Sequence, residues 1–263
     1  MKIHHLRSAT FIIESGERFI LIDPMLGKKG SMPPFSVIKA KAAKNPTVEM
    51  PSNADELLNK VTHTLITHSQ TFGIKALQHG DHLDPAGEAF LTSRNISVAT
   101  PAKDKAYLEK YNLTVNWGIE DWQTIDFLDG KLTAVPALHG HGWIHKVMAN
   151  GVGFFLELPN EPSIYISGDT VLTDDVKRAL TELKPDITVV AAGRARMDVG
   201  QPLLMSIEEV MEFIRLSPNK VIANHMEALN HCAVTRPILK EAINKNGLSD
   251  KTLIPADGET LEF

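Results

Sequence analysis

Eleven histidines against three tyrosines and three tryptophans make imidazole the residue type to follow in this 263-residue chain. Histidine is the commonest metal ligand and the commonest acid–base group near neutral pH. Its placement here is ordered. His68 closes the run Leu65-Ile66-Thr67. His79-Gly80-Asp81-His82 stands just before Asp84-Pro85. His139 follows Pro136-Ala137-Leu138, Asp169 follows Ile164-Tyr165-Ile166-Ser167-Gly168, and His225 follows Val221-Ile222-Ala223-Asn224. Apolar runs of this kind read as buried strands. Side chains at strand ends can converge from distant points in a sequence. Neutral imidazoles and carboxylates suit Zn²⁺ and other divalent first-row metals.

The elements that must carry these residues follow from periodicity and punctuation. Phe11-Ile12-Ile13 and Phe19-Ile20-Leu21-Ile22 are β-rich and separated by Ser15-Gly16-Glu17, a hairpin signal. Pro33, Pro34, Pro46 and Pro51 make 25–60 an irregular excursion with short helices. Lys28, Lys29, Lys39, Lys41 and Lys44 fall in it with no acid before Glu49. They read as a solvated surface, the sharper alternative being a basic lip for an anionic substrate. Strands are expected at 61–67, 96–100, 122–127, 132–137, 152–158, 163–167, 187–191, 221–223 and 252–254. Asp84 with Pro85, Thr173, and the Ser206/Glu209 capping-box pattern mark helix starts, and helices are also expected at 101–111 and 236–246. Two halves, each strands then helices, predict sheet packed on sheet with helices outside, an αββα sandwich. The whole chain, 1–263, reads as one domain.

Without residues 70–78 the text around His68 reads Thr-His-Ser-His-Gly-Asp-His-Leu-Asp. That resembles the His-x-His-x-Asp-His motif of the metallo-β-lactamase superfamily, and the segments bearing His139, Asp169 and His225 follow in family order. The branch it resembles most is that of the metal-dependent hydrolases that include ascorbate-6-phosphate lactonase-like proteins. The resemblance implies the four-layer αββα sandwich and two divalent ions, Zn first, with Mn or Fe as alternatives. It assigns His68, His79 and His139 to one ion, Asp81, His82 and His225 to the other, and Asp169 as the bridge. Asp81 would also orient a metal-bound hydroxide for attack on an ester-like bond. The insertion 70–78 departs from the pattern and puts Gln70 at the literal position of the second histidine. Either a loop bulges out and His79 still reaches the ion, or Gln70 replaces the ligand. The first reading is adopted because His79-Gly80-Asp81-His82 keeps its internal spacing. His141 is the runner-up to His139.

Other residues carry weaker signals. Arg194 and Arg196 could bind an anionic group through their fixed fork of donors. His141 and His231 are further substrate-binding candidates. His4, His5, His63 and His145 read as packing or surface residues, and Asp23 as an orderer of loops. Cys232 is the single cysteine, so no intrachain disulfide can form. A balance of 27 cations to 32 acids gives no support to nucleic-acid binding, and nucleic acid is not an expected partner. No apolar run nears the roughly 18 residues of a membrane helix, and the N-terminus lacks a signal peptide's apolar stretch. The expectation is a cytoplasmic hydrolase of a lactone or phosphoester in a small anionic substrate, with no membrane partner and oligomerisation left open. A nuclease or phosphodiesterase, and a non-catalytic metal-binding module with a damaged first site, are the competing readings.

Overall fold

Two seven-stranded mixed sheets face one another in a computed structural model that describes residues 1–263. The first holds β1 (Lys2–Arg7), β2 (Thr10–Ser15), β3 (Arg18–Ile22), β4 (His63–Leu65), β5 (Ser97–Pro101) and β6 (Thr114–Ile119). The second holds β7 (Thr124–Phe127), β8 (Gly130–Pro136), β9 (Val152–Glu157), β10 (Ile164–Ile166), β11 (Ile187–Ala191), β12 (Lys220–Asn224) and β13 (Thr252–Leu253). The last strand, β14 (Thr260–Glu262), returns to the first sheet and pairs antiparallel with β1. The Met1 amine donates to the Phe263 carbonyl at 3.0 Å.

Each sheet joins an antiparallel part to a parallel part. β14 to β3 run antiparallel, and β3 to β6 parallel. The second sheet mirrors this, with β7 to β10 antiparallel and β10 to β13 parallel. Strand alternation explains the layers. Phe11, Ile13, Ile20 and Ile22 point into the core between the sheets, where they meet Leu132, Phe154 and Ile164. Ile12 and Leu21 point the other way, to Leu57, Leu91 and Leu108 of the helices α1 (Ala54–Lys60), α2 (Pro85–Ser93) and α3 (Ala102–Lys110). Side chains of adjacent strand residues leave opposite faces, so a strand buried on both reads as an unbroken apolar run. The second sheet packs on α4 (Asp174–Arg178), α5 (Ile207–Leu216) and α6 (Arg236–Lys245) through Val176, Phe213 and Leu239. Each such side chain contributes about 1.5–3 kcal/mol on burial.

The caps stand where the sequence puts them. Asp84 accepts from the Gly87 N–H at the start of α2, Thr173 caps α4, and Ser206 and Glu209 close a full capping box on α5. Three strands are not legible in the sequence. β1 carries His4 and His5, β6 carries Asn116 and Gly118, and β14 is short and polar. The strand expected over 61–67 is shorter, at His63–Leu65. The excursion is irregular until α1, as expected.

Candidate metal centre

The loops that follow β4, β8, β10 and β12 deliver seven ligand-type side chains to one edge of the sandwich. His68, His79 and His139 form one group, and Asp81, His82, Asp169 and His225 a second, the ligand atoms of each lying within 4.8 Å of one another. His68 Nε2 is 3.1 Å from His79 Nδ1, and His82 Nε2 is 3.3 Å from His225 Nε2. Asp169 reaches both groups. Its Oδ2 is 3.4 Å from His139 Nε2 and 3.2 Å from His82 Nε2, and its Oδ1 is 3.4 Å from His225 Nε2. Asp81 Oδ2 stands 3.9 Å from the Nε2 atoms of His82 and His225.

Two backbone features aim these side chains. His225 follows β12 with φ 59°, and Asp23 follows β3 with φ 46°. Left-handed non-glycine residues cost about 1–3 kcal/mol and persist where the surroundings over-determine them. The His225 carbonyl lies against Gly193, where a Cβ would come within 1.9 Å of it. Only glycine fits there. Gly168, immediately before Asp169, has φ 61° and also admits no larger residue without strain.

Asp23 is the partner that fixes the second group. Its Oδ2 accepts from His82 Nδ1 at 2.8 Å, and His82 Nε2 faces Asp169 Oδ2 at 3.2 Å. The same carboxylate accepts from the Thr67 N–H and hydroxyl, both at 2.8 Å, and so anchors the residue before His68. Ordering of loops by Asp23 was expected; its bond to His82 was not. Outer partners of this kind set the tautomer of a ligand histidine. The Cys232 Sγ lies 3.6 Å from His225 Nδ1, and burial pushes its thiol well up from the usual range.

The insertion 70–78 is pinched at its base. The His79 N–H donates to the Ser69 carbonyl at 2.9 Å, so the chain leaves after Ser69 and rejoins at His79. Gln70 is occupied elsewhere: its amide donates to Asp104 at 3.1 Å and its carbonyl accepts from the Gly73 N–H at 2.5 Å. Asp104 also takes the Ser69 N–H and hydroxyl. His79, not Gln70, therefore stands with His68 and His139, and Thr71 Oγ1 lies 3.2 Å from its Nε2. Asp104 and Thr71 had no sequence signal, because their partners are fixed only by the pinch.

The donor set fits divalent cations. His139 Nδ1 and Asp169 Oδ1 are buried with no hydrogen-bond partner. Burial first, then mutual repulsion, holds the His68 and His79 imidazoles neutral, His79 down to about 3. Burial likewise lowers His139. His82 runs the other way: burial opposes its charge, but Asp169, Asp23 and Asp81 together outweigh that and raise it well above the ordinary range. Asp169 is itself held well below the carboxylate range, since His225 and His82 outweigh its burial. The carboxylates thus create a place for positive charge among otherwise neutral imidazoles.

These directions set a pH dependence for metal-free protein. Unfolded imidazoles titrate near pH 6.5. Below that, the unfolded chain takes up protons that folded His79 and His231 refuse until about 3 and about 4. Their contribution is therefore lost as pH falls, and that of Asp169 is lost further down. His82 alone contributes in acid and loses its contribution as pH rises. The melting temperature of chelator-treated protein should fall by several degrees between about pH 7 and about pH 5. A melting temperature that stayed level or rose in a thermal scan would contradict this balance.

A cavity of about 300 Å³ opens over the first group. Its floor includes His79, Asp81 and His139, and its walls include Phe35, Leu77 and Met197. His231 lines it too, its Nδ1 without a partner and its ring edge-on to Phe35 at 5.1 Å. No lysine or arginine lines it. Arg194 is exposed, and Arg196 donates to the Lys39 carbonyl at 3.0 Å. His141 lies outside the cavity, 3.1 Å from the Glu209 carboxylate of the α5 cap. Of the remaining histidines, His4 bridges Thr260 and Glu14, and His63 packs beside Trp117 and Phe127.

A pair of facing mixed sheets with metal-ligand side chains gathered at their edge defines the class: metal-dependent hydrolases of the metallo-β-lactamase fold. The family model for the beta-lactamase superfamily domain matches residues 18–226, and the chain belongs to that family, among the UPF0173 metal-dependent hydrolases. The UPF0173 protein YddR of Bacillus subtilis (strain 168) is 30% identical over the full length of both chains. The crystal structure of a "possible metal-dependent hydrolase" from Veillonella parvula DSM 2008 is 25% identical, with a TM-score of 0.87 over 99% of this chain and 98% of that one. An isothiocyanate hydrolase from Delia radicum gut bacteria is 29% identical, with a TM-score of 0.86 over all of this chain and 99% of that one. No helix is long and apolar enough to cross a membrane.

Proposed function

We propose that the chain hydrolyses a small, uncharged, largely apolar substrate at a carbon electrophile. Two divalent cations would be held by His68, His79 and His139 and by Asp81, His82 and His225, with Asp169 between them. The observation that carries this reading is an apolar cavity whose floor is the first ligand group and whose walls hold no cation. Bound divalent ions supply Lewis acidity and a nucleophilic water near neutral pH. Mixed imidazole and carboxylate donors favour Zn²⁺, with Mn²⁺ or Fe²⁺ as the alternatives.

The chain's own residues do the rest. Asp81 lines the cavity, and although burial opposes its charge, His82 and His79 keep it ionised. It is placed to accept a proton from the attacking water. Burial holds His231 neutral, with its pKa at about 4, so it hydrogen-bonds rather than ion-pairs with what enters. Phe35, Leu77 and Met197 exclude bulk water, which strengthens every electrostatic contact at the floor.

Substrate charge is where this reading leaves the sequence-based one. An anionic lactone or phosphoester would meet neither Arg194 nor Arg196 nor the lysines of 28–44, none of which lines the cavity. A carbonyl-type carbon, as in a neutral lactone, suits the site better than a phosphoester. So does the central carbon of an isothiocyanate, the substrate named for the relative from Delia radicum gut bacteria. The test is metal analysis of purified protein coupled to turnover of a neutral aliphatic lactone, an alkyl isothiocyanate and bis(4-nitrophenyl) phosphate. Chelator-sensitive turnover of either neutral substrate is expected. Hydrolysis confined to the phosphodiester, or protein that binds no metal, would overturn the reading.

A further inference from the structure

Ten large apolar side chains are exposed on this molecule, and all but Ile238 and Phe263 lie on four segments around the cavity mouth. The segments are 31–44 of the excursion, the insertion 70–78, the stretch 139–150 and the stretch 193–204. Each contributes to the cavity wall or floor, through Phe35, Leu77, His139 and Met197 for example, so they share one side of the protein. Beyond the cavity itself they raise Val37, Ile38, Phe72, Ile74, Trp143 and Val199 into solvent, Ile38 at 82% and Phe72 at 68% exposure. Exposed apolar side chains gathered on one face mark an interaction surface.

Charge is gathered on the same segments. They carry seven cations, Lys39, Lys41, Lys44, Lys75, Lys146, Arg194 and Arg196, in a chain where acids outnumber cations 32 to 27. Lys75 is paired with Glu88; the other six have no carboxylate within salt-bridge reach. Asp198 is the one acid of the four segments, and its carboxylate is taken up by the tip of the excursion. It accepts from the Ser36 hydroxyl at 2.6 Å and from the N–H groups of Val37, Ile38 and Lys39 at 2.9 to 3.0 Å. That clasp fixes the tip of the excursion with Val37 and Ile38 outward.

We propose that this face docks on an anionic phospholipid leaflet, the apolar tips seated at the acyl boundary and the six cations without a carboxylate partner among the headgroups. The combination of apolar residues with flanking lysines and arginines is that of interfacial binding, and anionic leaflets attract clustered basic residues. A second copy of the chain fits less well. A two-fold contact sets a face against itself, and here it would set cation against cation. Nucleic acid fits less well too, since four of these six exposed side chains, Val37, Ile38, Ile74 and Val199, are aliphatic and only Phe72 and Trp143 offer a ring for a base to stack on. A hydropathy window misses such a surface because its apolar residues come singly from separated segments. The inference needs only the four segments and is independent of the substrate proposed above.

The test is co-sedimentation of the full-length, metal-loaded protein with vesicles of phosphatidylcholine, with and without phosphatidylglycerol. Binding is expected only with phosphatidylglycerol, and should weaken about tenfold or more as salt screens the cations. The variants Ile38→Asp with Phe72→Asp, and Lys39→Glu with Lys41→Glu, should each weaken it about tenfold or more. None of these side chains touches the metal centre, so metal content and melting temperature should stay as in the parent. The charge variant and the salt response still decide the matter should the apolar variant fail to fold. Three results would overturn the proposal: equal or no binding to both vesicles, variants that bind like the parent, or a dimer in light scattering that Ile38→Asp with Phe72→Asp makes monomeric in protein that ignores vesicles.

Discussion

Asp169→Ala is expected to cost far more than a hundredfold in kcat/KM and to leave the protein with little bound metal. About 10–100-fold is the usual loss when only an outer partner of a ligand is removed, and Asp169 sits inside the ligand set. Its two oxygens reach His139 on one side and His82 and His225 on the other. Without it, three buried imidazoles lose the carboxylate that makes the site attractive to positive charge. Asp169→Asn keeps the shape and removes the charge, so it should retain the fold and bind metal weakly. Metal per chain by mass spectrometry and turnover on whichever substrate the wild type accepts read both effects. A fully loaded, fully active alanine variant would remove Asp169 from the centre altogether.

A second pair of substitutions separates ligand from bystander. His79→Ala should lower activity by more than about a hundredfold and remove the first ion, by the same reasoning about ligands and their outer partners. Gln70→Ala should leave metal content unchanged and cost about 1 kcal/mol of stability, since it removes hydrogen bonds that hold the insertion to Asp104. The opposite outcome, with Gln70 essential and His79 dispensable, would mean that the loop packs differently in the loaded protein. Metal titration by calorimetry distinguishes the two without any substrate.

Much of the fold was legible because its middle strands are buried on both faces. Ile20, Leu21 and Ile22 are all apolar, for Ile20 and Ile22 face the other sheet and Leu21 faces helices. The helix caps were equally plain, because Asp84, Thr173 and Ser206 act within a few residues of where they stand. The edges were not. β1 hides His4 and His5 by pairing them with Thr260, Glu14 and Asp257, partners that sequence proximity does not suggest. In the metal centre, ligand types and order could be read, whereas Asp23's bond to His82 spans 59 positions. The substrate face resisted for a similar reason. The lysines of the excursion form a run in the sequence, but the cavity is walled by residues from separate segments, among them the apolar Phe35, Leu77, Met148 and Met197.

The pairing of β14 with β1 matters for the order in which the molecule assembles. Lys2 lies opposite Glu262, so the first sheet closes across nearly the whole chain. Contacts between such distant positions form late, because the loop-closure entropy comes due before they bring any return. On the ribosome, β1 to β6 emerge long before their seventh strand, and until then β1 presents an unpaired edge. A bare strand edge is a template for another chain. The strand that completes the sheet therefore also covers this edge, and it does so long after β1 has been made.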